Sequence, residues 1–332
     1  MNSAFPLAIT GYSGLFPSAA FTGQFGGLCL TGSDDYSVSR KLKRYMSDAT
    51  PAAIQAAELA LDQAGLDQTS RSKLGLYVAQ YGYLHPHLKD FIATFSHTKP
   101  GTAAQAFVDA WHSSRVSPFV VTQMLNNNLL GLLSLHLQQT ADCAALVRDE
   151  LAAATALEEA AFNLQQLYCQ QALVVCAGAQ QDLLAMQRLS AGEALSLAAP
   201  PVAAIACVLQ PLSSLPSGQS TQGVIQQLCG SFSLPDLLTE LRQMVPVVQT
   251  TDLLLLDVIS AADAGLVQQA LGWPDSQLIA LRQWRDQMGC PGLLSAVFCG
   301  LNQLKSTSYQ RFIAISVGSE GYCSAVIVVK DY

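Results

Sequence analysis

The sequence predicts an α/β protein made of two halves that are alike in plan. Stretches that read as strands alternate with stretches that read as helices. The strands are continuous apolar runs, as in "LVVCAGA", "TTDLLLLDVIS" and "YCSAVIVV", which marks strands covered on both faces. Hydrophobic residues make up 50% of the 332-residue chain and charged residues only 12%, against roughly 25% in ordinary soluble domains. That balance suits sheets flanked by helices, with further surface hidden in an oligomer.

In chain order, "PLAITGYSG" opens the first half as a strand, and "SDATPAAIQAAELALDQAGLD" follows as a helix. Thr50 and Pro51 predict its N-cap and first helical residue, and Gly65 its stop. "KLGLYVAQYGY" is a strand and "TAAQAFVDAWHS" a helix. "SPFVVTQMLNNNLLGLLSLHLQ" is a more apolar helical stretch. Its three asparagines, Asn126 to Asn128, either bond across an interface or break the helix. "AALVRDELAAATALEEAAFNLQQLYCQQALVVCAGA" reads as a buried strand at 144–147, a tight turn, a long amphipathic helix and a second strand from 172. "VAAIACVLQPL" closes the first half, residues 1–212. After a linker rich in Pro, Ser and Gly, the second half, 222–332, supplies "TTDLLLLDVIS", two helices and a terminal strand pair.

Several classes of function are excluded by composition. The net charge is −7 and no large Lys/Arg cluster is present, which argues against nucleic acid or an anionic membrane as partner. The short basic run at 39–46 reads as a solvated helix start. No apolar run reaches the length of a membrane span, and the N-terminus lacks a basic signal region, so a cytoplasmic protein is expected. Nine cysteines without a C-x-x-C pair read as inert buried thiols. All five histidines precede residue 137, and His85-Pro86-His87 has no third ligand at sensible spacing, so no metal site is expected. No G-x-S-x-G elbow or G-x-G-x-x-G turn is present, and no cofactor is expected.

Five pieces, in order, resemble the β-ketoacyl synthases of the thiolase fold, and within them the chain-length-factor subunits of type II polyketide synthases. They are "KLKRYMSDATPAAIQAAELALDQAGLD", "RVSPFVVTQMLNNNLLGLLSLHL", "LVVCAGAQQDLL", "VAAIACVLQPL" and "SVGSEGYCSAVIVV". The resemblance implies a thiolase-like fold, two repeated α/β halves in a five-layer αβαβα arrangement.

The departures from that family bear on activity. Active synthases carry a cysteine in a T-A-C turn ahead of the long helix. Here "RDELAA" puts Glu150, Leu151 or Ala152 in its place, and none of the three can accept an acyl group. Where the family has its two histidines, this chain reads "LLLLDVISAADAG" and "MGCPGLLSAVF", with Cys290 near the second position. The phenylalanine between glycines of the terminal loop is replaced in "VGSEG" by Ser319 and Glu320.

The resemblance therefore implies a non-catalytic chain-length factor that pairs with an active ketosynthase, in a heterodimer or higher assembly, during chain elongation on an acyl carrier protein. The aryl-polyene pathways are the subgroup expected. The carrier would dock through the partner, because carrier proteins are acidic and so is this chain. Ala103, Phe107 and Trp111 recur every four residues along one helix face. The resemblance turns that face, with Phe119 and Leu133, into a wall of the acyl tunnel, and places Thr122, Met124, Asn126, Leu146 and Val147 at the subunit interface. The alternatives are a malonyl-carrier decarboxylase for priming, using Glu150, and a homodimeric scaffold.

Overall fold

The computed structural model describes residues 5–30, 40–47, 49–81, 103–113, 119–123, 125–148, 151–179, 202–258, 260–284, 292–318 and 321–330. In the first half the elements run β1 (Leu7–Phe16), α1 (Ala19–Phe25), β2 (Leu28–Cys29), α2 (Ala49–Gln63), β3 (Gly75–Tyr81), α3 (Ala103–His112), α4 (Asn128–Leu137), β4 (Cys143–Arg148), α5 (Leu151–Gln165), β5 (Ala172–Ala179) and β6 (Val202–Pro211). The second half continues with β7 (Gly223–Ser231), α6 (Leu234–Met244), β8 (Asp252–Val258), α7 (Ala261–Leu271), β9 (Leu278–Ala280), α8 (Leu293–Ser306), β10 (Arg311–Val317) and β11 (Cys323–Val329).

The strand order exposes an internal repeat. The ladder runs β4-β3-β5-β6-β1-β7-β11-β10-β8-β9. Read outward from its middle, β1-β6-β5-β3-β4 is matched by β7-β11-β10-β8-β9. The first two pairings of each set are antiparallel and the last two parallel. The sets meet where β1 pairs antiparallel with β7, through Leu7↔Ile225, Ala8↔Val224 and Ile9↔Gly223.

Both faces of each set are covered, which is why the strands read as unbroken apolar runs. Side chains alternate between faces. Leu253 and Leu255 of β8, with Val174 and Cys176 of β5, enter one central core with α5 and α8. Leu254 and Leu256 enter a second core under α6 and α7, and Leu173 and Val175 a third under α2 and α4. The result is five layers, helix–sheet–helix–sheet–helix. Alanines let the helices lie close: Ala53, Ala56, Ala57 and Ala60 are the buried face of α2. Gly11 of β1 permits that approach, since a Cβ there would sit 2.0 Å from the Ala60 carbonyl oxygen.

One local expectation is corrected, and of two readings left open one is observed. The helix expected to be capped by Thr50 begins at Ala49. Thr50 lies inside its first turn, donates its N–H to the Ser47 carbonyl and shares a 2.9 Å hydroxyl contact with Ser47. The stretch from residue 117 is not one helix. It is divided into a short helix, Phe119–Gln123, and α4, at whose start the Asn128 amide donates to the Tyr45 carbonyl at 3.1 Å. Gly65 takes φ +69° just past the end of α2, as a helix stop requires.

Candidate functional site: the turn ahead of α5

The parallel strand β4 delivers the chain to the N-terminus of α5, where backbone N–H groups lack helical partners and the helix dipole is positive. This is a natural mount for a nucleophile or an oxyanion hole. In this chain the first helical side chain is Leu151, 3% exposed, followed by the fully buried Ala152. Glu150 lies outside the described residues. The isobutyl group of Leu151 packs on Gly318 at the end of β10, where an added Cβ would come within 2.6 Å of Leu151 Cγ. The loop there is closed by a bond from the Gly318 N–H to the Tyr322 carbonyl (2.9 Å) and by Gly321 at φ +85°. The first hydroxyl along the helix, that of Thr155, is committed to the Leu151 carbonyl at 2.9 Å. An apolar plug therefore stands at the helix start.

Behind the plug the central layer holds polar residues that the sequence reading had not singled out. Asp257 of β8 is fully buried and receives the Ser316 hydroxyl at 3.5 Å. Burial, followed by the nearby negative charge of Asp257, pushes the Cys299 thiol well up. The available signal was a single aspartate inside "LLLLDV". Glu158, two turns into α5, accepts hydrogen bonds from the Tyr322 hydroxyl at 2.9 and 3.0 Å and from the Ser324 hydroxyl at 2.9 Å. It thereby ties the first half to β11. Burial, and then the Glu158 carboxylate, pushes Tyr322 up to about 12. Gly230 makes this contact possible, since a Cβ there would stand 2.1 Å from the Tyr322 hydroxyl oxygen. Desolvation pushes the buried thiols of Cys207 and Cys229 up to about 12, whereas Cys143 is exposed.

The residues expected along a tunnel are not gathered around one described cavity. The side chains of Ala103 and Phe107 lie outside the described residues. Trp111, at the end of α3, is 40% exposed, and Leu133 is buried in the outer core with α2. Phe119 stacks edge-to-face on Tyr45 at 5.0 Å, with the Arg44 guanidinium over both rings. Of the expected interface residues, Leu146 and Val147 are half-buried on β4, whose described pairing is with β3 alone. Thr122 is half-buried and Asn126 exposed. Met124 and Cys290 lie outside the described residues. Among the described residues no group of three metal-ligating side chains occurs, and no helix is long and apolar enough to cross a membrane.

Two five-stranded sets with the same strand order, stacked in five layers around α5 and α8, define the thiolase-like fold of the ketosynthases. No protein-family model matches the chain, and no curated protein does. Solved structures match it nearly end to end. AntDE:AntF, a type II polyketide synthase acyl-carrier protein in complex with its ketosynthase bound to the hexaketide, aligns at TM-score 0.77 and 16% identity, over 99% of this chain and 100% of that one. A β-ketoacyl synthase from Burkholderia phymatum STM815 aligns at 0.69 and 12% identity, and the ishigamide ketosynthase/chain length factor at 0.69 and 11%. Each of these two covers 98% of this chain and 99% of its own.

Proposed function

We propose that this chain is the non-catalytic, chain-length-determining partner of an active ketosynthase in polyketide or polyene elongation on an acyl carrier protein, the aryl-polyene type being the subgroup favoured. The observation that carries the reading is the plug: Leu151 and Ala152 are the first side chains of α5, and Leu151 is closed over by Gly318. A condensing enzyme needs an acyl acceptor and a proton-handling pair at this place, and every histidine of the chain precedes residue 137. The fold is retained because the edge strand β4 and α5 can still complete a partner's sheet and pocket. The carrier docks through the partner, and the two halves, 1–212 and 222–332, act as one body.

The test is reconstitution with the intact ketosynthase encoded beside it. The pair should co-purify and elongate a carrier-bound chain, and the ketosynthase alone should lose either activity or product length. Elongation of the same products by the ketosynthase alone refutes the reading. Carbon dioxide release from malonyl-carrier by the isolated chain would instead establish a priming decarboxylase.

A further inference from the structure

One edge of β7 is only partly used. Toward β11 the strand is paired from Val224 to Ser231, with a register shift at Gln226. Toward β1 it is paired only at residues 223–225. The ladder stops there, and the Pro6 carbonyl, which faces β6, accepts the Leu212 N–H at 3.0 Å. Among the described residues nothing pairs with that side of residues 226–231. Half of a strand's N–H and C=O groups point to each side, so a stretch of about 20 Å is left as a template. A cleft of about 360 Å³ runs along it, bordered by Phe5, Phe162 and Glu158 on the α5 side and Glu240 on the α6 side. Its lining includes two carboxylates and no Lys or Arg.

We propose that the 226–231 edge of β7, unpaired on that side among the described residues, takes up an extended, lysine- or arginine-bearing segment of a partner protein as an added antiparallel strand. The backbone supplies the ladder. A strand's side chains alternate between faces, and each face of this slot presents a carboxylate, Glu158 on one and Glu240 on the other. The aliphatic stem of a lysine suits Phe5 and Phe162, and its charge suits a cleft lined by Glu158 and Glu240. An acidic strand would be repelled on both faces. Isolated edges of this kind are either covered or used, and the charge of the cleft selects what covers this one. The inference is independent of the reading above, which concerns β4 and the turn ahead of α5.

The probe is a fluorescein-labelled, end-blocked Lys-Val-Lys-Val-Lys peptide, titrated into the whole protein by fluorescence polarisation. Binding should saturate, weaken by up to about five-fold in Glu240→Gln, and vanish when the ladder-forming amides of the peptide are N-methylated. Hydrogen exchange should slow at 226–231 when the peptide binds. Equal binding by the N-methylated peptide, or by Glu-Val-Glu-Val-Glu, overturns the proposal, as does no binding at all. Slow exchange at 226–231 in a peptide-free dimer overturns it too, since the occupant is then a second copy of this chain.

Discussion

Leu151→Ala tests the plug directly. The side chain is 3% exposed and belongs to the layer between the two sheets, with Gly318 pressed against it. Truncating a buried leucine costs about 2–5 kcal/mol, the lost transfer energy plus the cavity left behind. The site faces a glycine turn that can relax, so about 3 kcal/mol is expected, a change of about 150-fold in the unfolding constant. Gly318→Ala perturbs the same contact from the other side. Its new methyl would meet Leu151 Cγ at 2.6 Å, and such overpacking costs about 1–3 kcal/mol. In the double variant the alanine at 318 grows into space that Leu151 has vacated. The two costs should therefore fail to add, by about 1 kcal/mol or more. The assay is urea unfolding of the four proteins, with Leu135→Ala, exposed by 64%, as a control that should change stability by less than about 0.5 kcal/mol. If Leu151→Ala costs under about 1 kcal/mol, or the two changes add fully, the plug is not packed and the turn is open.

Three further outcomes are expected. Leu146→Asp or Val147→Asp, on the edge strand β4, should abolish co-purification with the ketosynthase while leaving the monomer folded; an intact complex would move the interface elsewhere. In the reconstituted pair, Phe107→Ala should shift products longer, by up to one helical turn of about 5 Å, and Ala103→Phe should shift them shorter. Unchanged products at normal complex yield make that helix face ordinary packing. Glu58 joins α2 to α4 and to Arg71, accepting from His136 at 2.8 Å and from Arg71 at 2.6 Å. The His136 hydrogen bond, then the charges of His136 and Arg71, hold its carboxyl below its ordinary 4.5. Its contribution is therefore full above that value and is lost as pH falls through the lower folded one. Glu58→Gln should reduce the loss of stability as pH falls from about 5 toward about 3, and an identical pH profile would refute the linkage.

What could be read ahead of the structure follows from the range of the interactions involved. Strands such as β8 and β11 were legible because a doubly covered strand needs an unbroken apolar run, and that is a local property. The stop of α2 was legible because Gly65 meets a local demand for positive φ. Its start was not, since a hydroxyl pair between Ser47 and Thr50 looks in sequence like a cap one residue later. The Asn128 amide at the start of α4 bonds to Tyr45, 83 residues away, and an asparagine run alone left two readings open.

The site divides in the same way. That the turn ahead of α5 lacks a thiol or hydroxyl is written in "RDELAA". That Leu151 closes it is not, because Gly318 reaches it only through the pairing of β10 with β8 and the stacking of the two sheets over α5 and α8. Asp257 and Ser316 are 59 residues apart, and Glu158 and Tyr322 are 164 apart. The β8–β10 ladder brings the first pair together, and the second joins α5 to the residue before β11. Among the described contacts both carboxylates accept from hydroxyl groups. Hydroxyl donors can satisfy a buried carboxylate, but at neutral pH they neither relay protons nor accept an acyl group without an adjacent base. The polar contacts described in this layer are thus of the kind that hold two halves in register.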